Sequence, residues 1–586
     1  LPLSAVKEIS AQTGGFNAEY NNARSGVVNV VTKEGNPHHY SGSISIKQSP
    51  PSPKHFGISP YDKNSFWLRP YLDSDVCWTG TDNGQWDEYT QRQFPRFEGW
   101  NSVSDDFIVD NNHENDLTPS AAQKIYLWEH RKKGFIQKPD QNIDFGFGGP
   151  VPLMSKYLGN LRFFMSYRYV QDMYLMQLSR DGLYNKSFLI KTTSDISKRT
   201  KFSILLLNNV LEATTSSRSG GTTFMKDVYD VASAIDRKGF TIPWRIYTNT
   251  YWSQTARDYN LISAKISKLV NPQTFYEIQL QNFTIKYNTG PMRDRDNTLK
   301  YEIFPGCVVD EAPFGFEEEP VFGIDGLGIG GSVSTSRDSS IFNTYSLKLD
   351  LNSQINRRNN IKSGIKLAYD NFNLKYGMVN KALPEGNFFN ISDGRPFRIN
   401  YYIQDKIEYD GFIPVIGLVL DYINPNGEWY KIDNFSRDFF SSNYNNENEN
   451  LFKNKKSKPQ LYISPRLSIS HPITINSKFY FNYGHYRQIP SNENLFKIQR
   501  SSINQLDYLG NPSLPLARTV SYELGYDHSI KDNYLFHLSA YYKNIDNQED
   551  WTQYISNDGK VNYHQLTADS YEDIRGFEIY TSKLYG

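Results

Sequence analysis

From about residue 39 onward, hydrophobic and polar residues alternate one by one in short runs. Near the C-terminus, Tyr522, Leu524 and Tyr526 alternate with Glu523 and Asp527. The same alternation recurs over 345–352, 461–470 and 534–543. A period of two is the pattern of a β-strand whose two faces meet different surroundings. The chain is therefore predicted to be all-β.

The lengths of the connections between these runs also alternate. Short polar turns are predicted at 271–273, 356–359, 474–476 and 531–533. Long irregular connections are predicted at 50–140, 211–256, 288–340, 374–396, 424–458, 489–516 and 547–572. Compact soluble domains rarely contain so many long connections, whereas outer-membrane barrels have short periplasmic turns and longer extracellular loops. The pattern predicts a transmembrane antiparallel β-barrel with about 16 strands present.

Composition agrees with a barrel better than with a soluble core. Hydrophobic residues make up 38% of the chain and the mean hydropathy is −0.60, yet 15% of the residues are aromatic. Barrel strands need apolar side chains on one face only and carry aromatic girdles at both membrane interfaces. No run approaches 18 apolar residues, so a helical membrane span is not expected.

Charge and cysteine content exclude several other classes. With 63 basic and 63 acidic residues the formal net charge is zero, which argues against a nucleic-acid-binding protein. Cys77 and Cys307 are too few for a disulfide scaffold, and a bridge or two separate thiols are both compatible with their positions. The chain has no nucleophile elbow, P-loop or metalloprotease motif, so neither an enzyme nor a cofactor or metal site is expected.

Three polar or glycine-rich segments have a simpler interpretation than a ligand site. The glycine-rich stretch 323–331 lacks the strand and helix of a nucleotide-binding loop. Asp310, Glu311 and 317–319 could offer oxygens to Ca²⁺ but are better explained as a solvated charge run. The pair His38-His39 lacks a third metal ligand and is predicted to be a turn.

One helix is predicted inside the first long connection. Thr118 suits the N-cap position and Pro119 the first helical position, and 120–133 is compatible with a helix. Ile125 and Trp128 would then share one face. This helix is predicted to lie on the extracellular side.

Residues 13–35 resemble the end of the plug domain of TonB-dependent receptors, particularly of the Oar-like branch. In that branch an Ala-Glu-Tyr, a glycine-rich turn and a Val-x-Asn-Val-x-Thr-Lys strand lead into the first barrel strand. The matching positions are Gly14, Gly15, Glu19, Tyr20, Gly26, Asn29, Thr32, Lys33 and Gly35. Ser25 stands where the branch usually has a second glycine.

Further segments resemble the same family in the expected order. They are 144–151 with 161–164, 464–468, 483–487, 511–514 with 522–526, and 575–578. Each segment is short, but together they extend the resemblance over nearly the whole chain.

The resemblance implies a 22-stranded barrel filled by an N-terminal plug. Residues 1–38 would be the C-terminal end of the plug and 39–586 a partial barrel. The chain begins without a signal peptide, and its last alternating run has no strand after it to close the sheet, although open edges in lipid leave backbone groups unpaired. We therefore expect the native protein to extend beyond both Leu1 and Gly586.

The resemblance also implies a location in the bacterial outer membrane and energised uptake. The expected partners are membrane lipid, TonB with its inner-membrane complex, and a bulky ligand such as a siderophore, glycan or peptide. Surface adhesion or a matrix-associated role on the same barrel is the alternative. Aromatic residues of the first loop would either contact the ligand or pack the loop itself, and the two interpretations are weighed equally for Trp67, Trp78, Trp86, Tyr89 and Trp100.

Overall fold

The chain folds into a large β-barrel with layered loops at one end. The computed structural model describes residues 1–12, 14–20, 26–105, 118–129, 134–235, 251–292, 298, 300–310, 334–379, 387–430, 433–440, 453–500, 505–531 and 533–583. Within these ranges, twenty strands belong to one barrel sheet, and sixteen of them are long. The predicted fold class is confirmed.

Seven of the sixteen long strands follow one another along the chain with no shorter strand between them. These are β3 (Ser41–Ser49), β4 (Asp140–Pro150), β5 (Arg162–Met173), β6 (Gly182–Ser197), β7 (Thr200–Thr214), β8 (Gln254–Asn271) and β9 (Thr274–Gly290). The other nine are β13 (Ile341–Gln354), β14 (Asn359–Met378), β16 (Phe397–Ile407), β17 (Ile413–Asn424), β20 (Gln460–Thr474), β21 (Ser477–Gln488), β24 (Ala517–Ile530), β25 (Tyr534–Ile555) and β26 (Asn562–Lys583).

The remaining elements are shorter. The hairpin of β1 (Val6–Gln12) and β2 (Val27–Thr32) precedes the barrel, and β10 (Lys300–Phe304) with β11 (Cys307–Asp310) and β18 (Glu428–Tyr430) with β19 (Lys453–Lys456) form two more small sheets. Four short strands join the barrel at its loop end: β12 (Ser336–Asp338), β15 (Phe388–Gly394), β22 (Ile498–Arg500) and β23 (Leu506–Leu509). The helices are α1 (Arg69–Leu72), α2 (Glu88–Gln93), α3 (Trp100–Asp105), α4 (Pro119–Glu129), α5 (Val228–Ile235) and α6 (Asn492–Leu495), with 3-10 turns at Leu3–Ala5 and Asp438–Phe440.

The alternation along each strand separates an apolar outside from a polar inside. On β13 the outward residues Tyr345 and Leu351 are 51% and 42% exposed, whereas Asp350 between them faces inward and accepts a hydrogen bond from the Tyr402 hydroxyl at 2.7 Å. Outward Leu524 on β24 is 54% exposed. Apolar side chains therefore cover the outer wall, which suits contact with lipid rather than with water.

Neighbouring long strands pair antiparallel, as expected for a meander. At the loop end, β15, β22 and β23 connect β14 to β26, through Asn390 opposite Gln499 and a parallel pair, Tyr508 beside His564. The loops on this side are thus tied to one another and to the wall by backbone pairing.

The prediction of a long irregular connection at 547–572 is wrong. There β25 and β26 continue as one regular hairpin with a turn at 556–561, and Trp551 lies opposite Leu566. Register shifts occur between Ile545 and Asp550. Because this part of the hairpin extends past the apolar band, its outer face need not be apolar, and the alternation that reveals the other strands is lost.

The predicted helix is present and begins where expected. It is α4, and the Thr118 hydroxyl oxygen accepts a hydrogen bond from the Ala121 N–H at 3.2 Å. Ile125 and Tyr126 are buried, and Trp128 is partly buried. Residues 130–133 of the prediction lie outside the described residues.

Candidate functional site: the barrel lumen and the segment inside it

The N-terminal segment, described for residues 1–12, 14–20 and 26–38, lies in the lumen and is attached to the wall at three places. The first attachment is at its start. The N–H groups of Leu3 and Ser4 donate to the two carboxylate oxygens of Asp144 on β4, at 2.8 and 2.9 Å. The hydroxyls of Ser4 and Ser166 are 2.5 Å apart, and Ala5 is fully buried against Phe164. One inward carboxylate thus accepts two backbone hydrogen bonds and fixes the start of the segment to β4.

The second attachment is on the opposite wall. Arg466 on β20 donates to the carbonyl oxygen of Phe16 at 3.3 Å, and the Ala18 N–H donates to Gln404 Oε1 on β16 at 2.9 Å. Glu19 lies 3.3 Å from Lys362 Nζ on β14. The segment therefore crosses the lumen between the β4–β5 wall and the β14–β20 wall.

The third attachment follows β2 and is electrostatic. The carboxylate of Glu34 lies near three cations of the wall. These are Arg162 on β5 at 3.5 Å, Lys191 on β6 at 3.2 Å and Lys201 on β7 at 3.3 Å. Burial by itself raises the pKa of Glu34, but Lys191 and Lys201 outweigh burial and hold the pKa below its usual value. Arg162 also forms a bidentate ion pair with Asp195. The carboxylate of Glu34 thus fixes the last part of the segment to the wall just before β3.

Two glycines of the plug-like motif are required by close approach to the wall. Gly15 has φ +59°, and a Cβ there would lie 2.4 Å from Asn482 Nδ2. A Cβ at Gly35 would lie 2.1 Å from the carbonyl oxygen of Phe163. A side chain at Gly35 would push the segment away from the backbone of β5, and at Gly15 the positive φ disfavours any residue other than glycine.

The other motif residues are spread along the same segment. Tyr20 packs beside Phe16, and the N–H of Lys33 donates to the Ala5 carbonyl at 2.8 Å, which extends the β1–β2 hairpin. Thr32 Oγ1 accepts from Lys191 Nζ at 3.4 Å. Asn29 pairs with Ser10 in that hairpin. Gly26 directly precedes β2, and a Cβ there would lie 3.5 Å from the Gln12 carbonyl oxygen. Ser25 lies outside the described residues.

A cavity of about 450 Å³ lies between this segment and the wall. Glu19 and Tyr20 line it on the segment side, and β9, β13, β14, β16 and β17 on the wall side. Among its charged side chains, Arg398 pairs with Asp370 at 2.7 Å and Lys348 with Asp350 at 2.8 Å. The volume is within the usual range for small-molecule sites.

The first long loop packs with residues near the β5–β6 and β7–β8 connections in one core, which we call the first loop cluster: Tyr61, Leu68, Tyr71, Cys77, Phe97, Trp100, Val103, Ala122, Tyr126, Tyr174, Met176, Leu178, Leu183, Ala213, Met225, Val231, Tyr251 and Trp252. Trp100 is fully buried in it and donates through Nε1 to the Tyr71 carbonyl at 2.8 Å. Burial raises the pKa of Tyr61 to about 12. This cluster folds the loop into an ordered layer over the barrel mouth.

The five aromatic candidates of this loop have different environments. Trp67 and Trp78 are partly buried against the first loop cluster, and Trp86 is buried with Nε1 3.2 Å from Asp73. Tyr89 is 76% exposed. Tyr89 is therefore the member of the set that a ligand reaches without rearrangement of the loop.

Cys77 is a free, buried thiol, so the two cysteines are not bridged in this structure. Burial raises the pKa of this thiol. The Cys307 side chain, Glu311, 317–319 and the glycine-rich stretch 323–331 all lie outside the described residues.

Some classes of site can be checked directly. In the described ranges, no three His, Cys, Asp or Glu side chains gather as a metal ion would require. No helix in the described part of the chain is long and apolar enough to cross a membrane.

A sequence profile described as TonB dependent receptor-like, beta-barrel matches residues 202–585. The chain belongs to this family. Its members are outer-membrane proteins of Gram-negative bacteria, in agreement with the apolar outer wall. A comparison with curated protein sequences finds no match.

Solved structures show the same fold in other receptors. The siderophore receptor PirA from Acinetobacter baumannii matches with a TM-score of 0.54 and 12% identity, over 100% of this chain and 66% of that one. A mutant of the ferric enterobactin receptor PfeA from Pseudomonas aeruginosa gives 0.53 and 11%, over 98% and 64%. The FrpB iron transporter from Neisseria meningitidis (F5-1 variant) gives 0.55 and 9%, over 100% and 67%. The present receptor thus spans about two-thirds of the length of these chains, and these neighbours are receptors and a transporter rather than enzymes.

The residues that hold the segment in the receptor's lumen were not predicted from the sequence. Asp144, Arg162, Gln404 and Arg466 lie on four different strands, and each was visible only as one inward polar position among many. Asp144, Arg162 and Arg466 fall inside matched family segments, which is the one signal that would have singled them out.

Proposed function

We propose that the receptor takes up a bulky nutrient ligand across the outer membrane, energised through TonB and its inner-membrane complex. The observation that carries this proposal is the path of residues 1–38 through the lumen, attached to opposite walls at Asp144, at Arg466 and through Glu34. A segment that is attached across the lumen narrows the lumen. Passage of a large ligand therefore requires an energy source that displaces this segment.

Residues 1–38 act in this proposal as the C-terminal end of a plug, and 39–586 as barrel. The further plug residues and further strands that the family resemblance implies remain predictions. TonB would act on a segment upstream of Leu1, so the attachments described above would be the fixed end of the plug.

The ligand would bind first on the loop side and then pass the lumen. Tyr89 is exposed on that side, and the cavity beside Glu19 and Tyr20 lies on the way. The proposed ligand class is a siderophore, glycan or peptide. PirA and PfeA are receptors for a siderophore and for ferric enterobactin, which makes iron limitation the first condition to test.

The test is a gene deletion in the native bacterium, assayed with iron, a glycan or a peptide as the limiting nutrient. We expect slower growth under one of these conditions, restored by the intact gene and matched by deletion of tonB. Growth on a small sugar that diffuses through porins is the control and should not change.

Unchanged growth under all three conditions, combined with loss of attachment to a surface or matrix, would reject transport. That outcome would favour the alternative function, adhesion on the same barrel.

A further inference from the structure

The turn between β4 and β5 differs from every other described turn at its end of the barrel. It spans residues 151–161, whereas the others occupy 198–199, 272–273, 355–358, 408–412, 475–476 and 531–533. This end carries the short turns and is therefore the periplasmic end. We call residues 151–161 the foot.

The foot is ordered but turns its apolar side chains away from the protein. Its backbone is internally bonded, with the Ser155 N–H donating to the Val151 carbonyl and the Leu158 N–H to the Met154 carbonyl, both at 3.0 Å. Leu153 is 94% exposed and Tyr157 is 88% exposed. An ordered turn with a contiguous apolar surface indicates a contact surface rather than a loose loop.

Leu153 adds a second indication. Its φ is +62°, in the left-handed region that favours glycine or asparagine. A leucine there is strained, and its side chain gains nothing from packing inside the protein. The strain is explained if the leucine side chain has a partner outside the chain.

Hydrogen bonds to β5 and β6 fix the position of the foot. The Ser194 hydroxyl donates to the Leu158 carbonyl at 2.6 Å, the Asp195 N–H to the Gly159 carbonyl at 2.6 Å, and Arg162 to the Asn160 carbonyl at 3.2 Å. On β6, Leu189 and Lys191 face the lumen, since they contact the N-terminal segment or the Ala5 cluster, so Ser194 belongs to the outward face. Leu158 is therefore held on the outer, lipid-facing side of the wall, whereas Asn160 contacts the inward Arg162.

The foot is continuous with the apolar band. Tyr40 stacks on Phe147, with ring centroids 5.8 Å apart, and Phe147 meets Phe163 at 5.8 Å on the outward face of β3 to β5. Outward Ile196 on β6 is 62% exposed. Aromatic rows of this kind mark the membrane interface.

One cation of the foot lies beside its apolar side chains. Lys156 is exposed, whereas Lys198 and Arg199 of the next turn line a cleft that Asn160 shares with the lumen-facing Asp195 and Lys201. Long basic side chains next to apolar ones are suited to lipid headgroups, because their stems lie along the apolar region while the charge meets phosphate.

We propose that the foot is a lipid-binding element: Leu153, Met154, Tyr157 and Leu158 insert into the interfacial region of the periplasmic leaflet, and Lys156 binds an anionic phospholipid headgroup. The occupant is the bilayer, because Leu158 is held on the outward face of β6 and the foot follows directly on the apolar wall. The element would fix the height and tilt of the barrel on the side where the N-terminal segment is attached through Glu34.

Spin labels on single cysteines test the proposal. In a Cys77→Ala, Cys307→Ala background, labels are placed at Leu153→Cys and Tyr157→Cys, and at Arg357→Cys as the matched control on a polar turn at the same end. The protein is reconstituted in vesicles of phosphatidylethanolamine with phosphatidylglycerol, and collision rates with oxygen and with a water-soluble nickel chelate are measured.

At 153 and 157 we expect high accessibility to oxygen and at least a tenfold lower collision rate with nickel than at 357. Equal nickel accessibility at all three positions would show a water-exposed turn and overturn the proposal. Protection from both reagents would also overturn it, because it would mean that protein rather than lipid covers the foot. Heat-modifiable migration in detergent gels verifies that each variant keeps its barrel.

Discussion

The guanidinium carbon of Arg466 lies 3.6 Å from the centre of the Tyr486 ring, and this pair joins the barrel wall to the segment in its lumen. Both residues face inward from adjacent strands and both are buried. The Phe16 ring meets Tyr486 edge-on at 5.5 Å, and Arg466 also donates to the Phe16 carbonyl. One cation therefore holds a ring of the wall and a carbonyl of the segment in fixed relation.

Replacing Arg466 by Met should release the segment near Phe16. A hydrogen bond from a charged donor and a cation–π contact are both lost, which together are worth about 2 kcal/mol. Hydrogen exchange at residues 16–18 should become ~30-fold faster.

Arg487→Met is the matched control for that experiment. Arg487 also lies over a tyrosine, Tyr462, at 4.5 Å, but its hydrogen bond goes to the Leu516 carbonyl of a loop. Equal exchange at 16–18 in both variants would contradict the role of Arg466.

Glu34→Gln should weaken the third attachment in a pH-dependent way. The pKa of Glu34 is lowered in the folded protein. Its carboxylate therefore stabilises the fold fully above the unfolded pKa of about 4.3, and this stabilisation is lost as pH falls through the lower folded pKa. The ion pairs are partly exposed and should contribute roughly 1 kcal/mol in total.

Thermal unfolding in detergent, followed between pH 3 and 8, measures that contribution. The variant should melt lower than the wild type at pH 5 to 8, and the difference should disappear towards pH 3. A difference that stays constant down to pH 3 would show that the Glu34 carboxylate is not its source.

Gly35→Ala should destabilise the link between the segment and β3. The new methyl group would meet the backbone carbonyl of Phe163 at 2.1 Å, and backbone cannot rotate away. Overpacking of this kind costs roughly 1 to 3 kcal/mol. Gly290→Ala is the control, because a Cβ there has no heavy atom within 4 Å and its φ is not positive. The melting temperature should fall for Gly35→Ala only, and an equal fall in both variants would contradict the close approach.

Trp100→Ala and Tyr89→Ala should show which of these two aromatic residues packs the first loop. Trp100 is fully buried and hydrogen-bonded, so its truncation should cost about 3 to 5 kcal/mol and open the first loop to protease. Tyr89 is exposed, so its truncation should leave protease resistance unchanged. Rapid cleavage of the Tyr89 variant would show that Tyr89 also packs the loop.

The sequence by itself determined the barrel, because lipid and lumen impose opposite polarity on alternate residues of every spanning strand. Leu349 against Asp350 and Leu524 against Glu523 are examples that need no tertiary information. Where a strand leaves the apolar band, as at Trp551, that constraint ends, and the continuation of β25 was missed for this reason.

Only the tertiary structure decided which inward polar residues matter. Asp144 and Arg466 are 322 positions apart in the sequence numbering, and both attach to one short segment because the curvature of the barrel sheet brings their strands around it. The tertiary structure also decided that Trp100 packs in the first loop cluster while Tyr89 is exposed, since burial depends on which side chains the folded loop brings together. Long-range pairing of this kind leaves no periodic trace in a single sequence.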